Sequence, residues 1–214
     1  MKKIVILISG RGSNMQALLT AKPGCTIAAV ISNRADAGGL AFAQSHGIPT
    51  AVVAHRDHPD RESFDTELAR VIDGFSPDFV ILAGFMRILT AGFVNRYQGR
   101  LINIHPSLLP AYTGLHTHAR ALADGVKIHG CTVHFVTADL DHGPIIIQAA
   151  VPVLPNDTED TLAARILNEE HRIFPQAIRW LCTGQIELSA TGRVINRANT
   201  SVNAALISPA LEHA

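Results

Sequence analysis

An excess of charge of either sign is missing from this sequence. Lys plus Arg and Asp plus Glu number 18 each in 214 residues, so no global field draws a polyanion such as nucleic acid, and any bound anion must be held locally. Cysteine is scarce as well. Cys25, Cys131 and Cys182 are odd in number and far apart, which excludes a disulfide framework and a paired-cysteine zinc site and fits reduced thiols in a cytoplasmic protein. No apolar run approaches the roughly 18–20 residues needed to span a bilayer, so no membrane partner is expected. The opening run Ile4–Ile8 stops at Ser9 and meets Arg11 without a small-residue cleavage site, so it reads as a buried strand rather than a secretory leader. Repeats, low-complexity tracts and Pro/Gly/Ser-rich linkers are absent too.

What is there suits one globular domain: 47% of residues are apolar and 17% charged. Short β-branched runs recur at Ile4–Ile8, Ile27–Ile31, Thr50–Val53, Phe79–Leu82 and Leu101–Ile104, with helical spacing between several of them. Phe64, Leu68, Val71, Ile72 and Phe75 mark one such helix, ending between Gly74 and Pro77. Farther on, Cys131–Val136 and Ile145–Val153 lie a loop apart, as antiparallel neighbours would. The expected fold is α/β and Rossmann-like: a mixed, mostly parallel sheet with helices on both faces in a single domain. A long helix should follow from Asp157 or Thr158, with Leu162, Ile166, Ile173, Ala177 and Leu181 as its apolar stripe and a kink at Pro175. The domain is expected to end near residue 190. Residues 191–214 would form a short C-terminal segment, with Asn199–Ala214 a loosely held tail.

Two places carry candidate chemistry. Ser9-Gly-Arg-Gly-Ser-Asn14 joins the first strand to a helical segment with Met15, Leu18 and Leu19, a position where backbone N–H groups can cradle a phosphate; Ser13 and Gln16 match a capping box. A dinucleotide site would want glycine where Met15 stands and an acid near Asn33. The loop therefore suits a monophosphate better than NAD, with Arg34 the one residue favouring an NADP reading. A tight strand-to-helix turn that binds nothing is the plain alternative.

The second place is Leu101–Pro110, where Asn103 and His105, two apart on a strand, share one face at its carboxyl end. Asp141, in the turn before Ile145, could come alongside. A carboxylate beside an imidazole favours the charged ring, and Asn103 adds a neutral donor: a set able to stabilise an oxyanion and manage protons in acyl transfer. Taken singly, each is an ordinary structural residue.

Four ordered strings, Ala83–Leu89, Asn103–Pro110, Gly130–Val136 and Asp141–Ile146, resemble the folate-dependent formyltransferases over about residues 1–190. Leu7–Asn14 at the front and Glu170-His171 at the rear resemble the branch that formylates glycinamide ribonucleotide. The resemblance implies transfer of a formyl group from 10-formyltetrahydrofolate, a co-substrate, to that amine in purine biosynthesis, with no metal. It implies Asn103, His105 and Asp141 as the catalytic trio, and Gly12, Ser13, Asn14 and Glu170 as ribonucleotide-binding residues. It places the folate on Arg61, Met86, Arg87, Ile88, Leu89, Asn103, Thr137, Ala138, Asp139, Leu140 and Asp141. Independently, Glu170 falls on an apolar stripe with Ala163, Leu167 and Phe174, an expensive place for an unpartnered charge. His142, Ala111 and Thr113 depart from the family pattern.

Three other readings remain. A formyltetrahydrofolate hydrolase or a formyltransferase acting on another amine would share the donor chemistry, though tRNA would need a basic extension that is not visible. A metal hydrolase would use His116, His118, His129, His134 and His142, but no His-Glu-x-x-His motif accompanies them. A nucleotide-sensing module would leave the trio unexplained. An exposed apolar face would permit a homodimer.

Overall fold

The computed structural model describes residues 1–197 together with Leu206 and Ser208. Its centre is a seven-stranded sheet. β1 (Lys3–Ile8) lies between β2 (Thr26–Ser32) and β4 (Phe79–Leu82), with β3 (Thr50–Val52) beyond β2 and β5 (Leu101–His105) beyond β4, all parallel. β6 (Ile128–Phe135) and β7 (Ile145–Pro152) complete the order β3-β2-β1-β4-β5-β6-β7 as antiparallel additions. The strand order reverses beside β1, which opens a crevice at the carboxyl ends of β1 and β4.

Alternation along β1 divides the core. Ile4, Ile6 and Ile8 face α1 (Ser13–Ala21), α2 (Gly38–Ser45) and α6 (Glu159–Cys182), whereas Val5 and Leu7 face α3 (Arg61–Asp73) and α4 (Ala91–Arg96). The helices thus cover both faces. Each fully buried Leu, Ile or Phe there contributes roughly 1.5–3 kcal/mol, an upper value because the unfolded chain also buries surface.

The α6 stripe is buried as expected, at Leu162, Ile166, Ile173, Ala177 and Leu181. Thr158 caps the helix through a reciprocal box with Thr161, and the helix continues across Pro175. On α3, Phe64, Leu68 and Ile72 are buried while Val71 is half-exposed, and Phe75 lies beyond the Gly74 cap.

One local expectation fails. Ser13 is the first helical residue, not the cap, and no side chain caps α1: Gly12 takes that place with φ 69°, in the left-handed region glycine tolerates. Gln16 turns its amide to the Arg11 carbonyl instead, at 3.0 Å.

Of the two short helices, α4 packs on α3 and α5 (Thr117–Ala123) on α6. A hairpin of β8 (Ile186–Leu188) and β9 (Val194–Asn196) follows α6, so residue 190 falls in its turn. The tail expected at Asn199–Ala214 lies outside the described residues, Leu206 and Ser208 excepted.

Candidate active site

The glycine loop leaves β1 at the crevice. With no side chain capping α1, the first-turn N–H groups of Ser13, Asn14 and Met15 point outward from the helix start without a described acceptor, the arrangement that receives an anion. A Cβ added at Gly12 would press only on the flexible end of Met15, at 3.0 Å, so it is the left-handed φ of 69° that favours glycine here. A cleft of about 390 Å³ runs from this loop past Asn33 and His55 to Met86 and Arg87. Asn103, His105 and Asp141 lie outside its lining.

Glu170 reaches this loop from α6. It is buried, and Asn14 Nδ2 donates to its Oε2 at 2.7 Å, while Asn14 Oδ1 is buried without a partner. Burial pushes the Glu170 carboxyl up from the ordinary carboxylate range, against the pull of the Asn14 hydrogen bond. The stripe neighbours Ala163 and Leu167 are only half-buried, so the full burial of Glu170 and Phe174 marks the part of α6 that meets α1.

Asn103 and His105 end β5, and Asp141 comes alongside from the β6–β7 connection. The Asp141 Oδ2 lies 3.6 Å from His105 Nδ1 and accepts the Gly114 N–H at 2.8 Å. Asp141 itself adopts φ 56°, a conformation that Asp enters more readily than most residues. Gly143 makes this approach possible: a Cβ there would lie 1.7 Å from the Phe135 carbonyl oxygen. On the other side of the ring, His105 Nε2 donates to the Tyr112 carbonyl at 2.9 Å. A carbonyl only accepts, so Nε2 carries a proton and Nδ1 is the atom that can gain a second one facing Asp141.

His134 completes the group, and only its metal-ligand role was weighed from the sequence. It stands directly across the sheet from Asn103, and its Nε2 lies 3.3 Å from Asn103 Nδ2. His134 Nδ1 donates to the Phe135 carbonyl at 2.9 Å, which leaves Nε2 bare to accept from the amide. Burial lowers the His134 pKa and keeps this tautomer neutral, so the 4.0 Å approach of Asp141 Oδ1 is not an ion pair. The antiparallel register of β5 and β6 was the missing signal.

The segment Met86–Leu89 leads from β4 to α4, with Met86 67% and Ile88 58% exposed. Arg87 lies over the Phe64 ring, its Cζ 5.7 Å from the centroid. Arg61 is exposed one turn earlier on the same helix. Opposite, Thr137–Asp141 forms a loop in which Leu140 is 52% exposed, Thr137 is half-buried and its Oγ1 donates to the Asp139 carbonyl at 3.2 Å, and Ala138 is exposed. His142 braces this loop by donating from Nδ1 to the Leu140 carbonyl at 2.7 Å. Among the described residues no group of three or more His, Cys, Asp or Glu is placed to hold a metal ion.

An Asn/His/Asp set at the end of β5, a glycine loop at the end of β1 and an exposed segment after β4 all gather at the carboxyl edge of a Rossmann-like sheet, the arrangement expected of a candidate acyl-transfer site. Residues 2–178 match the formyl transferase family, and the chain belongs to it. Phosphoribosylglycinamide formyltransferase of Escherichia coli (strain K12) is 51% identical over 189 residues, covering 86% of this chain and 89% of that protein. Among solved structures, phosphoribosylglycinamide formyltransferase from Coxiella burnetii is similar with a TM-score of 0.87 and 48% identity, over 92% of this chain and 93% of that one. A formyltetrahydrofolate deformylase from Pseudomonas putida KT2440 has a TM-score of 0.80 at 30% identity, over 91% of this chain and 70% of that one.

Proposed function

We propose that this chain transfers the formyl group of 10-formyltetrahydrofolate to the amine of glycinamide ribonucleotide, a step of purine biosynthesis in the cytoplasm. The observation that carries the reading is the placement of His105 between the Tyr112 carbonyl and Asp141, with Asn103 oriented by His134, next to a glycine loop open to a phosphate.

The phosphate sits on the N–H groups that follow Gly12, held by Ser13 and Asn14, and Glu170 accepts from a donor on the ribonucleotide. The folate lies between Met86–Leu89 and Thr137–Asp141, with Arg61 and Arg87 on the side of its acidic tail. The amine nitrogen attacks the formyl carbon, and the carbonyl oxygen gains negative charge. The second Nδ2–H of Asn103 and a proton on His105 Nδ1 stabilise that charge; Asp141 holds the imidazolium. As the bond from carbon to the folate nitrogen breaks, the proton released by the amine passes to that nitrogen through the His105–Asp141 pair. No covalent enzyme intermediate and no metal enter the sequence. One chain supplies every residue named, all within residues 1–190.

The test follows deformylation of 10-formyl-5,8-dideazafolate spectroscopically, with and without glycinamide ribonucleotide. Turnover strictly dependent on the ribonucleotide is expected. Turnover without it would instead identify a hydrolase, the reading to which the deformylase fold is nearest.

A further inference from the structure

Ser9 stands where the two proposed subsites meet. It precedes the glycine loop, is 7% exposed, and has both roles of its hydroxyl occupied: Oγ donates to Asn33 Oδ1 at 2.7 Å and accepts the Met86 N–H at 2.8 Å. Its own N–H donates to the Gly84 carbonyl at 3.2 Å. Asn33 is itself buried and bonded to His55, whose Nδ1 lies 3.0 Å from the Asn33 carbonyl oxygen. One side chain therefore joins the start of the phosphate loop to the first residue of the donor segment.

At this end the segment is also held by the buried Phe85 before it and by Arg87 over the Phe64 ring, but the Ser9 hydroxyl is what fixes the Met86 N–H. Met86 and Ile88 are mostly exposed, so their packing contributes little. At the far end Asp65, buried on α3, accepts the Thr90 N–H at 2.6 Å. Gly10, the first residue of the loop, is joined to Ser9 by one peptide bond, and Gly39 N–H holds the Gly10 carbonyl at 3.1 Å. Ser9 in turn cannot move without breaking a hydrogen bond in a place where an unmade bond is costly.

We propose that Ser9 is a positioning residue that couples the two subsites. An anion seated on the glycine loop sets the Ser9 hydroxyl, and Ser9 sets the 86–89 segment for the folate through the Met86 N–H. This rests on the substrate assignment above. By linkage the coupling is reciprocal: each ligand tightens the other by the same factor.

The experiment is calorimetric titration of the whole protein with 5,8-dideazafolate, which has no formyl group to transfer, with and without glycinamide ribonucleotide, and the reverse. In wild type each ligand is expected to strengthen the other by at least about five-fold. In Ser9→Ala that factor should fall towards one, and Ser9→Thr, which keeps the hydroxyl, should restore it. Asn33→Ala leaves the hydroxyl without its acceptor and should reduce the factor in the same direction; it decides the matter if Ser9→Ala does not fold. Wild type that binds both ligands independently overturns the inference, as does a folded variant with the coupling intact. A wild type that binds neither ligand overturns the substrate assignment instead.

Discussion

The amide of Asn14 and the carboxyl of Glu170 are joined at 2.7 Å although 156 residues separate them. The bond ties the first turn of α1 to the middle of α6 at the edge of the glycine loop, and it buries a carboxyl with no cation in contact among the described residues. Such a group costs stability, and in the proposed function it is the acceptor for the ribonucleotide.

Glu170→Gln separates those two effects. Burial raises the Glu170 pKa above its unfolded value, so its favourable contribution exists below the unfolded pKa and is lost as pH rises through the folded one. At neutral pH the neutral isostere should therefore raise Tm, by about 2–4 °C for roughly 1 kcal/mol in a chain of this size. It should also raise KM for the ribonucleotide by about ten-fold or more, with the folate KM little changed. A variant with lower Tm and unaltered KM would contradict both parts.

For the trio, loss of one preorganised donor typically costs about 100- to 1000-fold in rate. Asn103→Ala and His105→Ala should each approach that scale in kcat, with folding confirmed by circular dichroism. Asp141→Asn keeps an acceptor for the Gly114 N–H but removes the charge facing His105 Nδ1, so its pH–rate profile should change shape along with its height. Near-wild-type turnover in either alanine variant, or an unaltered profile in Asp141→Asn, would remove the assigned role.

The parallel strands, the α6 stripe and the pairing of Asn103 with His105 on one strand face were legible because each depends on a local period of two or 3.6. The turn before Ile145 already made Asp141 a candidate neighbour of His105, whereas the grouping of Glu170 with the glycine loop came from family resemblance, since nothing local says that residues 14 and 170 will meet. Ser13 and Gln16 misled because the cap motif ignores backbone conformation: a left-handed Gly12 starts the helix one residue earlier. β6 begins at Ile128, three residues before the apolar run that marked it, because His129 and Gly130 interrupt the pattern although both are buried. His134 and the Tyr112 carbonyl stayed hidden for a different reason. One needs the β5–β6 register and the other is a backbone atom, which sequence does not distinguish.

His134 offers a finer test of how Asn103 works. If the bare Nε2 fixes which end of the amide faces the substrate, His134→Leu frees Asn103 to flip while leaving both catalytic side chains in place. The expected result is a fall in kcat of about ten-fold, the scale of one lost hydrogen bond. His134→Gln, which can offer a carbonyl oxygen to the same amide, should recover part of it. Equal activity in all three proteins would show that Asn103 is held by something else.

His129 is 1% exposed, both its ring nitrogens lack partners among the described residues, and its ring lies edge-on to Tyr112 and His118, with centroids 5.5 and 5.6 Å away. Burial, then the charges of His118 and His105, push its pKa down to about 4, and burial lowers that of His118 as well. A histidine depressed in the folded state takes up its proton first in the unfolded chain, so stability is full above about pH 6.5 and falls as the pH drops towards 4. His129 alone should remove roughly 2 kcal/mol between pH 7 and pH 5, or about 4–8 °C in Tm. Because Tyr112 presents the carbonyl that receives His105 Nε2–H, activity should fall over the same window. Thermal melts of wild type and His129→Leu at a series of pH values read this directly: the variant's Tm should be flatter between pH 7 and pH 5, and two parallel curves would show that His129 is not the group responsible.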